Sequence, residues 1–408
     1  MSKIDELIEE LCPQGVEVKT LGEIAEYRRG SFPQPYGKAD WYNGENSMPF
    51  VQVADVSANM KLVKKTKQRI SVLAQSKSVF VPENTVIVTL QGSIGRVAVT
   101  QYDSYVDRTL AIFQKFKIEI NKKYFAYQLE KKFGIEKEFA RGSTLKTITK
   151  EEFTKFQIPV PPVAIQEKIV EILDKFTQLE TELQTELEAR KAQYQFYRNQ
   201  LLAFENKEVE WKSLGEVGTF TRGKRFVRTD MIEKGFPCLH YGEMYTHYNV
   251  FATESKSFIC PELAKKLRVA NPGEVVIVAA GETIEDIGKG MAWLGESDIV
   301  THDACFSFKS PLNPKYVSYF LRTRLFHDQI KRHISSGKIS SINAKGLATA
   351  KIPVPPMEEQ NRIVKILDQF DDLVNNISSG LPAEIKARRQ QYEYYRAKLL
   401  TFKVMENH

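Results

Sequence analysis

The five residues IPVPP occur twice in this chain of 408 residues, at 158–162 and at 352–356. After the first copy, residues 163–204 contain neither glycine nor proline. Apolar or long side chains fall at Ile165, Ile169, Ile172, Phe176, Leu179, Leu183, Leu187, Tyr194, Tyr197, Leu201 and Phe204. Steps of three and four define one face of a helix, and the double step of four around Leu183 and Leu187 locally unwinds a seven-residue seam. About forty residues at 1.5 Å per residue give a rod of about 60 Å, which needs a partner to bury its apolar stripe.

The second copy supplies that partner. Shifted by 194, residues 158–176 match 352–370 at 12 of 19 positions; shifted by 198, residues 188–204 match 386–402 at 9 of 17. Unrelated segments would share about one position in each window, so the chain carries an internal duplication. The change of shift places four extra residues in the second copy, at Ser378, Ser379, Gly380, Leu381 and Pro382, and predicts two helical pieces with a break.

The regions preceding each helix repeat one another's landmarks. VEVKTLGEIAEYRRG (16–30) is answered by VEWKSLGEVGTFTRG (209–223), and NTVIVTLQGSIGRVA by GEVVIVAAGETIEDIGKGMA, so that Arg96 corresponds to Lys289. NKKYFAYQL corresponds to NPKYVSYFL, and GSTLKTI to SGKISSI. β-Branched runs flanking glycine turns read as strands, and the aromatic stretch carrying Tyr36, Trp41 and Tyr42 reads as a loop. Between the landmarks the two regions are unlike.

The expected fold class is α+β: two similar, largely β domains (1–157 and 205–351) separated by two helical spacer repeats (158–204 and 352–408). Those helices are expected to form an antiparallel coiled coil with an approximate two-fold relation.

No run approaches the eighteen or so apolar residues needed to span a bilayer, and MSKIDELIEEL is a charged amphipathic start unlike a secretory signal. With four cysteines in no paired framework, a cytoplasmic protein is expected. The net charge of +7 suits a polyanionic partner.

Taken together, the two copies of IPVPP and the helix ends RKAQYQFYRNQLLAF and IKARRQQYEYYRAKLLTF resemble the specificity subunit of type I restriction-modification systems, over essentially the whole chain. The resemblance implies two target recognition domains, each reading half of a split double-stranded DNA site, with the helices as a ruler. It implies no catalysis and no cofactor on this chain. The implied partners are two methyltransferase subunits using S-adenosylmethionine and, through the complex, restriction subunits using ATP and Mg; no membrane is involved.

Basic and hydroxyl side chains near glycines and loop ends are the candidate DNA contacts, because backbone there can approach a phosphate. In the first domain these are Arg28, Arg29, Tyr36, Lys38, Arg96, Arg108, Arg141, Ser143 and Lys146, with the basic run Lys61, Lys64, Lys65, Lys67 and Arg69 as a second tier. In the second they are Arg222, Lys224, Arg225, Arg228, Lys289, His302, Lys338 and Ser340. Tyr241, Tyr245 and Tyr248 suit core packing, while Cys238, His240, His247 and Cys260 match no compact zinc knuckle. The repeated set Arg190, Tyr194, Tyr197, Arg198 and Arg388, Tyr392, Tyr395, Arg396 suits either a partner interface or the seam between the helices.

Catalytic signatures are missing. Asn271-Pro272-Gly273 and Asn313-Pro314-Lys315 fail the methyltransferase pattern NPP(Y/F). Gly281 lies seven positions before Gly288-Lys289, at the wrong spacing for a phosphate loop. The carboxylate-x-lysine triplet Glu384-Ile385-Lys386 sits on an expected helix beside a turn.

Overall fold

The computed structural model describes residues 3–57, 59–139, 150–205, 208–337, 339–376 and 378–405. It divides into one unit of Met1–Glu182 with Ile385–His408 and a second of Leu183–Glu384.

In the first unit, strands Ala25–Arg29, Leu110–Phe116, Val86–Thr89 and Val97–Val99 form an antiparallel sheet in that order. A second sheet runs Gln68–Ile70, Met48–Val51, Ser104–Val106, Val79–Val81, and its middle pair is parallel. The run VIVT is buried at every position because both of its faces are covered. Ile87, Ala98 and Ile112 meet Val51, Val81 and Val106 of the second sheet. Val86, Val88 and Phe113 face the other way, against Phe125, Leu129 and Phe133 of the helix Lys122–Phe139. The period-two alternation of a strand thus feeds two cores at once.

The second unit repeats this plan. Thr219–Arg222, Cys305–Lys309, Val275–Val278 and Gly290–Trp293 form the matching sheet, with Phe251–Ala252 added in parallel at its edge. Its companion runs Met231–Ile232, Ser257–Ile259, Phe236–Leu239, Ile299–Thr301, Val269–Ala270, again with a parallel central pair. One difference is that two helices, Pro314–Phe320 and Arg324–Ile330, replace the single helix of the first unit, because the Thr323 hydroxyl accepts from Phe326 N and starts a new helix.

IPVPP is a hinge from strand to helix. Ile158, within Gln157–Pro159, pairs with Lys19, and Ile352, within Lys351–Pro353, pairs with Lys212; both isoleucines are fully buried. A buried glutamine locks each hinge. Gln166 accepts from Asn121 N (2.8 Å) and donates to Pro161 O (2.7 Å), while Gln360 accepts from Asn313 N (2.9 Å) and donates to Pro355 O (2.8 Å). An amide can satisfy both groups at once; a carboxylate cannot donate.

The first helix is continuous over Val163–Ala203, 41 residues, and the second copy is broken into Met357–Asn375 and Leu381–Leu399. A Cβ on Gly380 would lie 2.4 Å from Asp372 O, so the break needs glycine. In the first unit Ile165, Ile169 and Leu173 pack on Leu399 and Leu400, and Phe176 stacks on Tyr395 at 5.5 Å. The sequence orders run oppositely, so these segments are antiparallel. In the second unit Phe370, the counterpart of Phe176, stacks on Tyr197 at 5.4 Å and Tyr194 at 6.4 Å, so the same contact is made twice. Two expected seam positions are corrected: Leu179 is 44% exposed, and Leu202 rather than Leu201 is buried. A straight helix drifts about 20° per heptad, which rotates such positions off a fixed stripe.

Among the described residues, no helix is long and apolar enough to cross a membrane.

Candidate nucleic-acid interface

Each domain has one loop whose path is set by a glycine. Strand Ala25–Arg29 ends at Gly30, where a Cβ would lie 2.1 Å from Val106 O and 2.4 Å from Asp107 O. Strand Thr219–Arg222 ends at Gly223, where it would lie 2.1 Å from His302 O and 2.4 Å from Thr301 O. The backbone bonds also match. Gly30 N donates to Leu110 O (3.1 Å) and Ser31 N to Val106 O (3.0 Å); Gly223 N donates to Cys305 O (2.9 Å) and Lys224 N to Thr301 O (3.0 Å). Residues 106–110 and 301–305 are therefore equivalent loops carrying unlike sequences, VDRTL and THDAC.

In the first domain an aromatic cluster supports this loop. Phe32 stacks on Tyr36 at 5.0 Å and on Tyr42 at 5.3 Å, and Trp41 is 5% exposed beneath them. The Tyr36 hydroxyl donates to Asp107 Oδ2, and Thr109 donates to Oδ1 through its N (2.9 Å) and Oγ1 (2.6 Å). Burial, then the bond to Asp107, raises the Tyr36 pKa, so it remains a neutral donor. Arg108 is exposed, with its guanidinium 5.3 Å from the Tyr36 ring. Such a contact holds a planar fork at the surface.

The second domain fills the same place with imidazoles. His240 and His302 lie 4.8 Å apart between Phe226 and Tyr241. His302 Nδ1 accepts from Ala304 N (3.1 Å) and lies 3.0 Å from Asp303 Oδ1, while His240 Nδ1 accepts from Gly242 N (3.3 Å). Burial lowers both imidazole pKa values, so the pair is neutral near pH 7. Asp303, the counterpart of Arg108, keeps its side chain 39% exposed.

The remaining candidates divide by environment. Arg28, Arg29, Arg225 and Arg228 are exposed. Lys38 lies 4.7 Å from the Trp41 ring and pairs with Asp40 at 3.2 Å. Arg222 Nε donates to Asp303 O (2.9 Å) and Lys224 Nζ to Lys266 O (2.8 Å), so both brace the loops that they border. Arg96 and Lys289 both follow a glycine of positive φ, +76° and +86°, as their place in the repeat predicts. They differ in partners: Arg96 Nη1 donates to Val56 O (3.3 Å), whereas Lys289 pairs with Asp286 at 2.5 Å. The basic run joins the Arg96 neighbourhood through the Val56–Leu62 bridge, with Lys61, Lys64, Lys65 and Lys67 exposed.

Two candidates are corrected to interior positions. Ser340 is 3% exposed in a strand paired with Ala280–Gly281, and His302 is 8% exposed because it takes the inward place of Asp107. Arg141, Ser143, Lys146 and Lys338 lie outside the described residues. Tyr248 is buried, as core packing predicts. Among the described residues no group of three or more His, Cys, Asp or Glu could hold a metal, and Cys238 packs in a core with Phe226 and Ile259.

On the helices most of the repeated stripe belongs to the seam. Tyr194 is 6% exposed, donates to Asp371 (3.3 Å), and has Arg198 5.4 Å from its ring. Arg396 Nη2 pairs with Glu130 at 2.6 Å, and burial raises the Tyr392 pKa. Arg190 pairs with Glu186 at 2.7 Å, and Arg388 donates to Gln391 at 3.3 Å. The aromatics left in solvent are Phe196, 60% exposed, and its counterpart Tyr394, 66% exposed, with Tyr395 at 36%. The sequence reading missed Phe196 and Tyr394, although the shift of 198 that aligns the helices also aligns them. It missed Asp107 and Asp303 for the opposite reason, since nothing in VDRTL resembles THDAC.

The family model for the type I restriction modification DNA specificity domain matches this chain twice, at residues 13–189 and 206–387. Among curated proteins, the EcoR124I/EcoR124II specificity subunit of Escherichia coli is 35% identical over 298 residues, covering 69% of this chain and 70% of that one. The Escherichia coli EcoprrI specificity subunit is 26% identical over 385 residues, covering 89% and 90%. Among solved structures, a chain from work on complex assembly and conformational transition of the type I R-M system aligns with a TM-score of 0.66 at 16% identity, covering 95% of this chain and 98% of that one. An HsdS subunit from Thermoanaerobacter tengcongensis aligns at 0.51 and 16% identity, covering 96% and 99%. The chain belongs to the type I restriction-modification DNA specificity family, and within it is a sequence-recognition subunit that is not itself an enzyme.

Proposed function

We propose that each domain reads one half of a bipartite double-stranded DNA target and that the helical repeats set the gap between the halves. The observation that carries this reading is one scaffold built twice, with matched strand order and matched loop hydrogen bonds, that presents different side chains at equivalent points. Readers of one frame with unlike loops suit two unlike words, because phosphate contacts position a protein while base edges specify the sequence. Arg28, Arg29, Arg96, Arg225, Arg228 and the lysines at 61–67 serve as phosphate contacts in this reading, and the partly braced Lys38, Arg222, Lys224 and Lys289 border them. Mapping methylated bases in a genome exposed to the assembled complex tests it: a split motif with two different halves is expected, and one uninterrupted motif would refute it.

The repeats also dock two methyltransferase subunits that use S-adenosylmethionine, and restriction subunits using ATP and Mg join through that complex. Phe196 and Tyr394 support a count of two, since each copy of the repeat leaves one large aromatic exposed at the same position. Exposed aromatics of this kind are enriched at interface centres. Phe196→Asp and Tyr394→Asp are each expected to leave the melting temperature of the free subunit within about 2 °C, since neither ring is in a core. Each should weaken capture of methyltransferase by at least about tenfold in a pull-down, corresponding to an anchor of 1.4 kcal/mol or more. Unaltered capture by both variants would remove these rings from the interface.

A further inference from the structure

We propose that Arg108 and Asp303 are paired base-reading residues, Arg108 selecting guanine in one half-site and Asp303 selecting cytosine in the other. The inference rests on the bipartite reading above and assigns the chemistry of one position in each word. The equivalence comes from geometry, because no alignment of VDRTL with THDAC would give it. Leu110 N donates to Asp107 O at 3.1 Å and Cys305 N to His302 O at 2.9 Å, closing the same turn in both domains, with the exposed Arg108 and the half-buried Asp303 at its second position. There one domain presents a cation and the other an anion.

Each side chain stands on a support specific to its own domain. Arg108 lies over Tyr36, which is fixed through its hydroxyl to Asp107 and through stacking to Phe32. A guanidinium held flat presents two parallel donors, the match for O6 and N7 of guanine. Asp303 has only acceptors to offer, and in the major groove the cytosine N4 amino group is the donor that a carboxylate pairs with. Bringing a carboxylate to DNA costs repulsion from phosphates, so it needs local cations. The second domain provides them: Arg222 donates to the Asp303 carbonyl, and Arg225 and Arg228 stand exposed on the neighbouring segment.

The test uses the full subunit assembled with its methyltransferase, acting on duplexes in which each position of the recognised motif is varied singly. Arg108→Ala and Arg108→Gln should each reduce preference for guanine at one position of one half-site by about 5- to 150-fold, the range of a lost bidentate pair. Gln should shift that preference towards adenine, whose N6 and N7 it can bridge. Asp303→Asn should relax one cytosine in the other half-site by a similar factor. In each variant the untouched half-site keeps its preferences, and melting of the free subunit monitors folding. An unchanged motif with uniformly slower methylation would make these residues phosphate or structural contacts and overturn the proposal. Relaxation at many positions, or in both half-sites, would overturn it as well. A wild-type motif that is not split would refute the bipartite reading, a result visible before any variant is made.

Discussion

Gly30→Ala is expected to unfold the first recognition domain, and Gly223→Ala the second, with a loss of about 4 kcal/mol or more in each case. An added methyl carbon at Gly30 would sit 2.1 Å from one carbonyl oxygen and 2.4 Å from the next, and at Gly223 the same two distances recur. The obstructing atoms are backbone, so no rotamer change relieves the overlap. Relief requires moving the turn at residues 106–110 or 301–305 away from the strand end, which breaks the bonds from Gly30 N and Ser31 N, or from Gly223 N and Lys224 N. The turn also carries the strand pairs on either side: Leu110–Phe116 joins the first sheet and Ser104–Val106 the second, so the disturbance reaches both sheets of a domain. Gly134→Ala is the control. It lies in the helix Lys122–Phe139 with open space around the added carbon, and should gain about 1 kcal/mol from helix propensity alone. Thermal melting of the three variants checks the ranking. Unaltered melting of Gly30→Ala and Gly223→Ala would mean that the turns yield easily, and the matched geometry would lose its force as evidence of a common scaffold.

Much of this architecture was legible because duplication supplies an internal comparison. Gln166 and Gln360 and likewise Phe176 and Phe370 stand at a shift of 194, Gly95 and Gly288 at one of 193, and each pair has the same role in the fold. The break at Gly380 followed from the change of shift and the helix breakers beside it. What stayed hidden depends on contacts distant in sequence. The stripe Tyr194, Arg198, Tyr392, Arg396 has the composition of an interface, and only distant partners turn it inward: Asp371 of the second repeat beside Tyr194, and Glu130 of the helix Lys122–Phe139 beside Arg396. Periodicity could not tell Leu179, which faces solvent, from Leu187, which is 6% exposed, because phase drift along a helix of 41 residues exceeds what spacing alone resolves. At the interface, exposure of a cation could be guessed from glycines and loop ends, whereas the alternation of Arg108 with Asp303 could not, since the surrounding residues share no pattern.

Inserting four helix-forming residues between Leu183 and Leu187 should lengthen the gap in the recognised DNA motif without altering either half-word. The helix is unbroken there, from Val163 to Ala203, so added residues extend it by about 6 Å, close to two base-pair steps at 3.4 Å. Four residues also turn the helix by about 40° beyond a full revolution, a modest change of phase. The partner strand of the seam can accommodate the length, because the second copy of the repeat already carries four residues more than the first, placed at its break near Gly380. Seven residues should add about three steps while nearly conserving the phase of the seam. Leu187→Pro is the opposing case: it removes a backbone donor and a buried apolar side chain at one position, costing about 5 kcal/mol together, and should abolish methylation rather than move the gap. Four residues inserted in the turn at Gly273, where space is open, should leave the gap as it was. Sequencing methylated sites from cells carrying each variant distinguishes these outcomes. A gap that stays constant while the helix grows would mean that the distance between the two words is set by the methyltransferase partners, and that the helix only joins the readers.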